Sequence, residues 1–507
     1  MCPEAFHPAN ELRIGHYSET APDEVSHLYD YGWAAFENWH TLPLQKRLTY
    51  LRLLRETIVE SQDEIASIIS KSTGKPEVDA LVTEVFAVVD AIKHIEKEAP
   101  SILNNEKVKT PLQFQGKTSY INRKPRGTIL VISPWNYPFQ LGMISTLEAI
   151  AMGNTVILKP SEMTPMVGEL LKRLSGIFPD HVLQVVIGGK ELGEALVEEG
   201  PDYIHFTGSV EVGKVIQMAA AKQLIPTTLE LGGKDAMIVR NDANITRAAK
   251  AAVWGAFSNS GQICLSVERV YVHEQAYPGF ITEVRREVAK LKQDLSSEAD
   301  MGTMTTKAQK QVVAHQLRDA LNKNATLEYG ESPDHWNEND SFISPLVLTN
   351  VTHDMAIMQE ETFGPVMPIH TFENDQEAVD LANDTDYGLG GSIFTSDLER
   401  ANEMIAKLET GNVMINDVIK SVANPHLPYG GVKQSGIGKS RGRTGMQAFC
   451  IETSVMSDAG KADTEFNYFP NTGKYHLLKQ MISAYWGPKK DYKKLVSTFL
   501  ELNKRTK

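Results

Sequence analysis

TILVISPWNYPF, residues 128–139, opens on a short apolar run rich in β-branched residues and stops at Pro134. A run of that length, bounded by a proline, reads as a buried strand that ends in a turn. Three similar runs follow, TVILK (155–159), VLQVVI (182–187) and YIHFTG (203–208), separated by 15 to 25 residues of helical or loop pattern. Strands spaced in this way are βαβ units of a parallel sheet, and such sheets bind ligands beyond the C-terminal ends of their strands. The fold class is therefore α/β. A second α/β stretch covers about residues 234–429, and the Gly-rich segment YGGVKQSGIGKSRGRTG (429–445) reads as a loop. Upstream, Leu48, Leu51, Leu54 and Ile58, then Ile65, Ile68 and Ile69, fall at helical spacing, and a third helical pattern covers 78–97. Residues 110–126 alternate loosely around Pro111 and Pro125 and predict an extended arm.

At 507 residues the chain has room for about three domains. Its 51 Lys and Arg against 64 Asp and Glu give a net charge of -13, which argues against a nucleic-acid partner because phosphate neutralisation needs surplus cations. Cys2, Cys264 and Cys450 form neither a disulfide framework nor a metal-ligand spacing such as C-x2-C, so no metal is expected and a reducing cytosol fits. The N-terminus has no basic and apolar leader, and no run of 18 apolar residues occurs. A cytoplasmic protein without a membrane span is the expectation.

Candidate chemistry gathers where strands are expected to end. Asn136 follows a Pro-Trp pair beyond the first strand, where an amide can donate to a developing oxyanion. Lys159 and Glu162 in KPSE follow the second strand, where an ammonium and a carboxylate can hold ribose hydroxyls. FTGSVEVG places Gly208, Ser209 and Gly213 at a loop leading into a helix, a place for a pyrophosphate, although G-x-G-x-x-G is missing. Glu230 sits between two leucines in LELGGK, apolar surroundings that raise a carboxyl pKa toward that of a general base near neutrality. Cys264 follows a glycine in GQIC, and Glu361 and Phe363 stand before a Gly-Pro turn in EETFGP. Singly, each has a plainer reading as a turn residue, a solvated pair or a core thiol.

Taken in order, WN, KPSE, FTGS, LELGGK, GQxC and ExFGP resemble the aldehyde dehydrogenase superfamily over about residues 25–456. The intervals of 34 residues from Glu230 to Cys264 and 97 from Cys264 to Glu361 look like those of its tetrameric branch. The resemblance implies that Cys264 is the nucleophile, forming a thiohemiacetal and then a thioester, with Asn136 stabilising the oxyanion and Glu230 activating the hydrolytic water. It assigns Lys159 and Glu162 to the adenine ribose, Gly208, Ser209 and Gly213 to the pyrophosphate, and Glu361 and Phe363 to the nicotinamide half. NAD is the expected cofactor, with NADP as a second acceptor because Lys159 could pair with its phosphate. The implied fold has a Rossmann-like cofactor domain (1–102 and 123–232), an α/β catalytic domain (233–444) and β oligomerisation elements (103–122 and 445–456), assembled as a homodimer or homotetramer.

Three features depart from the family pattern. Ser440 stands where a second glutamate is common, leaving Glu230 to act alone, and Glu148 replaces a common proline. Residues 457–507 form a tail similar to that of the long-tailed class 3 and fatty aldehyde branch. From Lys474 onward the tail has nine Lys or Arg against Asp491 and Glu501. Leu478, Met481, Ile482, Tyr485 and Trp486 are spaced as one helical stripe, closed by Gly487-Pro488. This basic amphipathic tail could pack on the enzyme's acidic body or across a dimer, or rest peripherally on an anionic membrane. Two alternatives stand beside aldehyde oxidation by water: a CoA-acylating aldehyde dehydrogenase, and a non-catalytic structural relative.

Overall fold

The computed structural model describes residues 3–111, 114, 116–337 and 340–505. Cys2 and Lys507, with Leu112, Gln113 and Gln115 of the expected arm, lie outside the described residues. The chain divides into two compact units, Met1–Asn104 with Arg123–Glu452, and Asn105–Asn122 with Thr453–Lys507. A hairpin of β1 (Glu4–Phe6) and β2 (Arg13–His16) comes first, and β3 (Glu106–Val108) and β4 (Thr118–Pro125) follow the N-terminal helices.

The quoted runs form β5 (Thr128–Ile132), β6 (Thr155–Lys159), β7 (Leu183–Val185) and β8 (Tyr203–Thr207), and β9 (Thr227–Glu230) completes the set. The expected strand over 182–187 is thus shorter, although Val182 and Val186 on its flanks still hydrogen-bond to β6. β5 pairs in parallel with both β6 and β8, and β8 pairs in parallel with β9. Their C-terminal ends therefore gather along one edge, which carries Lys159, Gly208 and Glu230. The helix Pro138–Met152 behind this sheet is buried along nearly its whole length, Leu141 being the half-buried exception. It is covered by the N-terminal helices, whose Leu48, Leu51, Leu54, Ile58, Ile65 and Ile69 are all buried in the same apolar cluster, as their spacing predicts.

The second sheet contains β10 (Asp235–Val239), β11 (Val267–His273), β12 (Thr326–Tyr329), β13 (Leu346–Thr349), β14 (Val366–Phe372), β15 (Gly390–Phe394) and β16 (Asn412–Ile415), in the order β12-β13-β14-β11-β10-β15-β16. β11 lies between β10 and β14 and is parallel to both, so the segments leading into these strands, which carry Lys234, Cys264 and Glu361, start from one edge. The Gly-rich segment is not simply a loop. Its Gly436–Ile437 forms β17, which pairs antiparallel with β9 and lies opposite Glu230 and Leu229. Gly436 has φ +146, and a Cβ there would come within 2.1 Å of the Leu229 carbonyl oxygen, so no side chain fits.

β18 (Cys450–Ser457), β4 and β3 form a three-stranded sheet, and within the second unit Lys117 pairs with Asp458 and Glu465. Two helices follow, Lys474–Trp486 and Tyr492–Arg505, packed on each other. The first ends at Trp486 before Gly487-Pro488, as expected. Its stripe is rotated from the expected one: Leu477 and Ala484 are buried, Leu478, Met481 and Tyr485 are half-buried, and Ile482 and Trp486 face outward. The expected stripe counted apolar residues alone, whereas the inner face also takes up the small Ala484 and the stem of Lys474, whose Nζ donates to the Tyr468 carbonyl. Among the described residues no helix is long and apolar enough to cross a membrane.

Candidate active site

Asn136 stands just beyond β5 and is buried. Lys75 Nζ donates to its carbonyl oxygen at 2.8 Å and forms an ion pair with Glu84, also at 2.8 Å, both side chains being fully buried. Glu84 in turn accepts from the N–H groups of Phe139 (2.8 Å) and Gln140 (3.2 Å), which begin the helix Pro138–Met152 and have no partner inside it. The turn bearing Asn136 is thus clamped from both sides. Its Nδ2 donates to the Gln262 carbonyl oxygen at 3.0 Å, tying it to the cysteine loop.

The cysteine loop turns sharply. Asn259, Ser260 and Gly261 have φ values of 50, 53 and 73, and a Cβ on Gly261 would meet the Gly364 carbonyl oxygen at 2.1 Å. Gln262 is wholly buried; its Nε2 donates to the Asn259 carbonyl oxygen at 2.9 Å, and its Oε1 accepts from Thr305 N–H at 2.9 Å. This pinned loop presents Cys264, half-buried, with Sγ 3.1 Å from the Tyr429 hydroxyl oxygen. Burial pushes the thiol up to about 12, the Tyr429 hydrogen bond opposes that shift, and Asp235, Glu361 and Glu230 reinforce it.

Leading into the second sheet, Lys234 and Glu268 form a buried ion pair at 2.7 Å. Glu268 also accepts from the N–H groups of Thr362 (2.7 Å) and Phe363 (2.8 Å), and Lys234 Nζ donates to Thr362 Oγ1 at 2.9 Å. These bonds hold the Glu361–Phe363 turn although Phe363 has φ 48. Glu361 Oε1 accepts from Gly233 N–H at 2.9 Å, and its carboxyl is raised by burial and by Glu268. The Phe363 ring meets Trp135 edge-on at 5.6 Å.

Glu230 is buried at the end of β9, and neither carboxyl oxygen has a well-formed hydrogen bond. Burial raises it to about 8, while Ser440, facing it too loosely for good geometry, and the Lys439 and Arg441 cations moderate the rise. A cleft of about 480 Å³ is walled by Asn136, Gly208, Ser209, Glu230, Cys264, Glu361 and Phe363 together. Lys159, Glu162 and Gly213 do not line it. Lys159 donates to Glu162 at 3.2 Å at the end of β6. Gly213 lies inside the helix Val210–Lys222, not in the expected loop, because Ser209 caps that helix; a Cβ at Gly213 would strike Leu231 at 2.5 Å. Tyr429, Lys234, Glu268 and Gln262 join the site without any role expected from the sequence, although LELGGK, GQIC and the start of the Gly-rich segment contain three of them.

A model of the Aldehyde dehydrogenase family matches residues 3–455. The chain belongs to the aldehyde dehydrogenase family. It is 37% identical to 4,4'-diapolycopene aldehyde oxidase of Methylomonas sp over 95% of this chain and 91% of that one. To 4,4'-diaponeurosporen-aldehyde dehydrogenase of Staphylococcus aureus it is 34% identical, over 88% and 96% respectively. Among solved structures, an NAD-dependent aldehyde dehydrogenase from Sinorhizobium meliloti superposes with a TM-score of 0.86 at 31% identity, covering 92% of this chain and 93% of that one. An E. coli NADP dependent enzyme gives 0.86 at 28% identity, covering 90% and 95%. The chain is thus an oxidoreductase that acts on aldehydes with NAD or NADP as acceptor, in a family that is commonly oligomeric.

The cleft fits such a cofactor. Gly208 and Ser209 open the 13-residue helix Val210–Lys222, whose first N–H groups favour an anion, and Glu361 has one oxygen left over from its bond to Gly233. Because the Lys234–Glu268 pair holds the turn that walls the cleft, Glu268→Ala is expected to cost about 3–5 kcal/mol of stability, the scale of breaking a buried pair. Melting temperature and kcat/KM for an aldehyde should fall together; an unchanged kcat/KM would show that the turn holds without the pair.

Proposed function

We propose that this enzyme oxidises a lipophilic aldehyde to its carboxylic acid, with Cys264 as nucleophile, Glu230 as general base and Asn136 as oxyanion donor. The convergence of a thiol, an unpartnered carboxyl and an amide on one cleft carries the reading. Cys264 gives up its proton, and Sγ bonds the carbonyl carbon. The negative charge moves to the carbonyl oxygen, where the Cys264 N–H and the second N–H of the Asn136 amide donate to it. When bound, the nicotinamide supplies the two-electron, hydride-accepting chemistry. Glu230 takes a proton from water as the water oxygen attacks the acyl carbon; the C–S bond breaks and the acid leaves. With Ser440 at the facing position, no second carboxyl from that position shares the task.

Gly208, Ser209 and the helix carrying Gly213 would hold the pyrophosphate, Lys159 and Glu162 the adenine ribose, and Glu361 with Phe363 the nicotinamide half. Glu162 would repel a 2′-phosphate, which favours NAD. The surroundings of Cys264 are apolar: Tyr137, Ile263, Leu265, Leu389 and Tyr429 cluster there with Leu141 and Val422. That lining suits a lipophilic substrate, in keeping with relatives named for aldehydes of 4,4'-diapolycopene and 4,4'-diaponeurosporen. We assign the enzyme to the long-tailed, fatty aldehyde side of the family, acting as a cytoplasmic homodimer or homotetramer. Its tail bears outward rows, Tyr475, Ile482 and Trp486 on one helix and Tyr492, Val496 and Leu500 on the other, set among lysines. We read these as a peripheral contact with the anionic membrane in which lipophilic aldehydes partition.

Cys264→Ala is expected to abolish aldehyde-dependent reduction of NAD, followed by absorbance, while cofactor binding persists. Glu230→Gln should retain a single-turnover burst of reduced cofactor while steady-state turnover slows by about 10²-fold or more. In the parent, turnover limited by hydrolysis should rise with pH through about 8, as the Glu230 carboxyl ionises. Equal losses in burst and steady state would give Glu230 a structural role, and acyl-CoA formation on adding CoA would favour the acylating alternative.

NAD is expected to give a higher kcat/KM than NADP. Parity or reversal in a steady-state comparison would mean that Lys159, rather than Glu162, decides. Full-length enzyme is expected to pellet with anionic liposomes at low salt and to lose this in the surface variant Ile482→Glu, Trp486→Glu; indifference of pelleting to these charges would leave the tail as a protein-packing element.

A further inference from the structure

Beyond the residues that carry the proposed chemistry, Tyr429 has a placement that the chemistry leaves unexplained. Its backbone is locked by a reciprocal bridge, Tyr429 N–H to the Ser440 carbonyl oxygen at 2.7 Å and Ser440 N–H to the Tyr429 carbonyl oxygen at 2.8 Å. Its ring is buried in the apolar cluster around Cys264, and its hydroxyl ends 3.1 Å from Sγ. The Arg441 guanidinium lies 6.0 Å from the ring centroid, and Arg441 donates to the Val422 carbonyl oxygen at 2.7 Å, so a fixed cation backs the ring. Among the described residues, this hydroxyl is the one hydrogen-bonding partner found for Sγ.

An apolar cluster suits an apolar aldehyde but is a poor place for a thiolate, which loses the water that would solvate it. A hydroxyl at hydrogen-bonding distance can replace that water without admitting solvent. We propose that Tyr429 is a catalytic residue, donating its hydroxyl proton in a hydrogen bond to the Cys264 thiolate and so making the reactive form accessible inside an apolar pocket. Direction follows from the donor's own state. Burial, with Cys264 and Glu230 nearby, holds the Tyr429 phenol well above its ordinary range, so it keeps its proton and can only donate to a charged sulfur. The thiol proton leaves to solvent or to Glu230, and the tyrosine proton stays on its oxygen throughout. Arg441 favours negative charge at this end of the cleft, since Cys264, Glu230 and Tyr429 all lie in its field.

This rests on Cys264 being the nucleophile, and the test separates the two. The rate of alkylation by iodoacetamide, in which the C–S bond forms as iodide leaves, is measured from pH 6 to 10, where it follows the small thiolate fraction and a shift of the midpoint shows as a change of rate at fixed pH, with the modified cysteine mapped by mass spectrometry. Tyr429→Phe, which removes a single oxygen, is expected to slow alkylation of Cys264 at pH 8 at least tenfold and to move its midpoint upward, the scale of one hydrogen bond to a charged group. Affinity for NADH, titrated by fluorescence, should stay within twofold. Replacing Tyr429 by 3,5-difluorotyrosine keeps the shape and strengthens the donor, so the midpoint should move down; this arm stands even where the phenylalanine variant is poorly folded. Superimposable profiles of the parent and Tyr429→Phe, or a difluorotyrosine midpoint that stays or rises, would overturn the proposal. Complete alkylation of Cys264 with full retention of dehydrogenase activity would instead overturn the nucleophile, whatever the midpoints do.

Discussion

The Lys234–Glu268 ion pair is the contact on which the cleft depends. It joins three segments that arrive from distant parts of the chain: the turn before β10, the start of β11 and the loop before β14. A carboxylate that accepts two backbone N–H groups and a lysine spends most of its lone pairs on holding geometry, which is how Phe363 is kept in a left-handed conformation. The same junction is crowded at Gly233, where a Cβ would meet the Cys264 carbonyl oxygen at 2.4 Å, and at Gly232, where it would meet Glu361. The two glycines of LELGGK therefore let the carboxyl-bearing strand, the cysteine loop and the glutamate turn approach one another. Parallel pairing does the corresponding work on the other wall, since β5, β6, β8 and β9 all end on one edge.

Electrostatics in the cleft follow from that closeness. Glu230 and Asp235 are both raised to about 8 by burial, and Glu361 is raised by burial and by Glu268. Cys264 lies among these acids, which together oppose its ionisation. Carboxyls raised in this way cost less to bury near neutrality than fully charged ones would, and Glu230 keeps a pKa at which it can both gain and lose a proton.

Legibility in the sequence followed range. The alternation of strands and helices, the buried faces of the N-terminal helices and the strand-end motifs are local, each legible within its own short stretch of chain. Glu268, 94 residues from the Thr362 N–H it accepts, and Tyr429, 165 residues from Cys264, have no local signal, because what defines them is a partner brought in by the fold. The Gly-rich segment read as a loop because β17 is only two residues long and exists through its pairing with β9. The tail stripe differs for another reason: counting apolar residues misses a face completed by alanine and a lysine stem, so the buried face is rotated from the expected stripe and Ile482 and Trp486 face out.

Two departures from the family pattern, Glu148 and Ser440, look unrelated in the sequence and meet in the structure at Arg441. Glu148 is buried on the helix Pro138–Met152, raised to about 8 by burial and drawn back by the Arg441 guanidinium and backbone N–H. Ser440 is the residue before Arg441 and faces Glu230. A second carboxylate at position 440 would add like charge directly beside Glu230, whereas a carboxyl at position 148 meets the same buried arginine without crowding the base. His205 is held neutral by burial beside the same cation, at about 4, and shares a 2.8 Å hydrogen bond with Ser145. Arg441 thus has an acid on one side and an uncharged imidazole on another, and Glu230, Tyr429 and Cys264 also lie in its field. The substitution that removes an acid beside Glu230 and the one that adds an acid on the helix Pro138–Met152 act on the same charge, and the field of that charge reaches the candidate nucleophile.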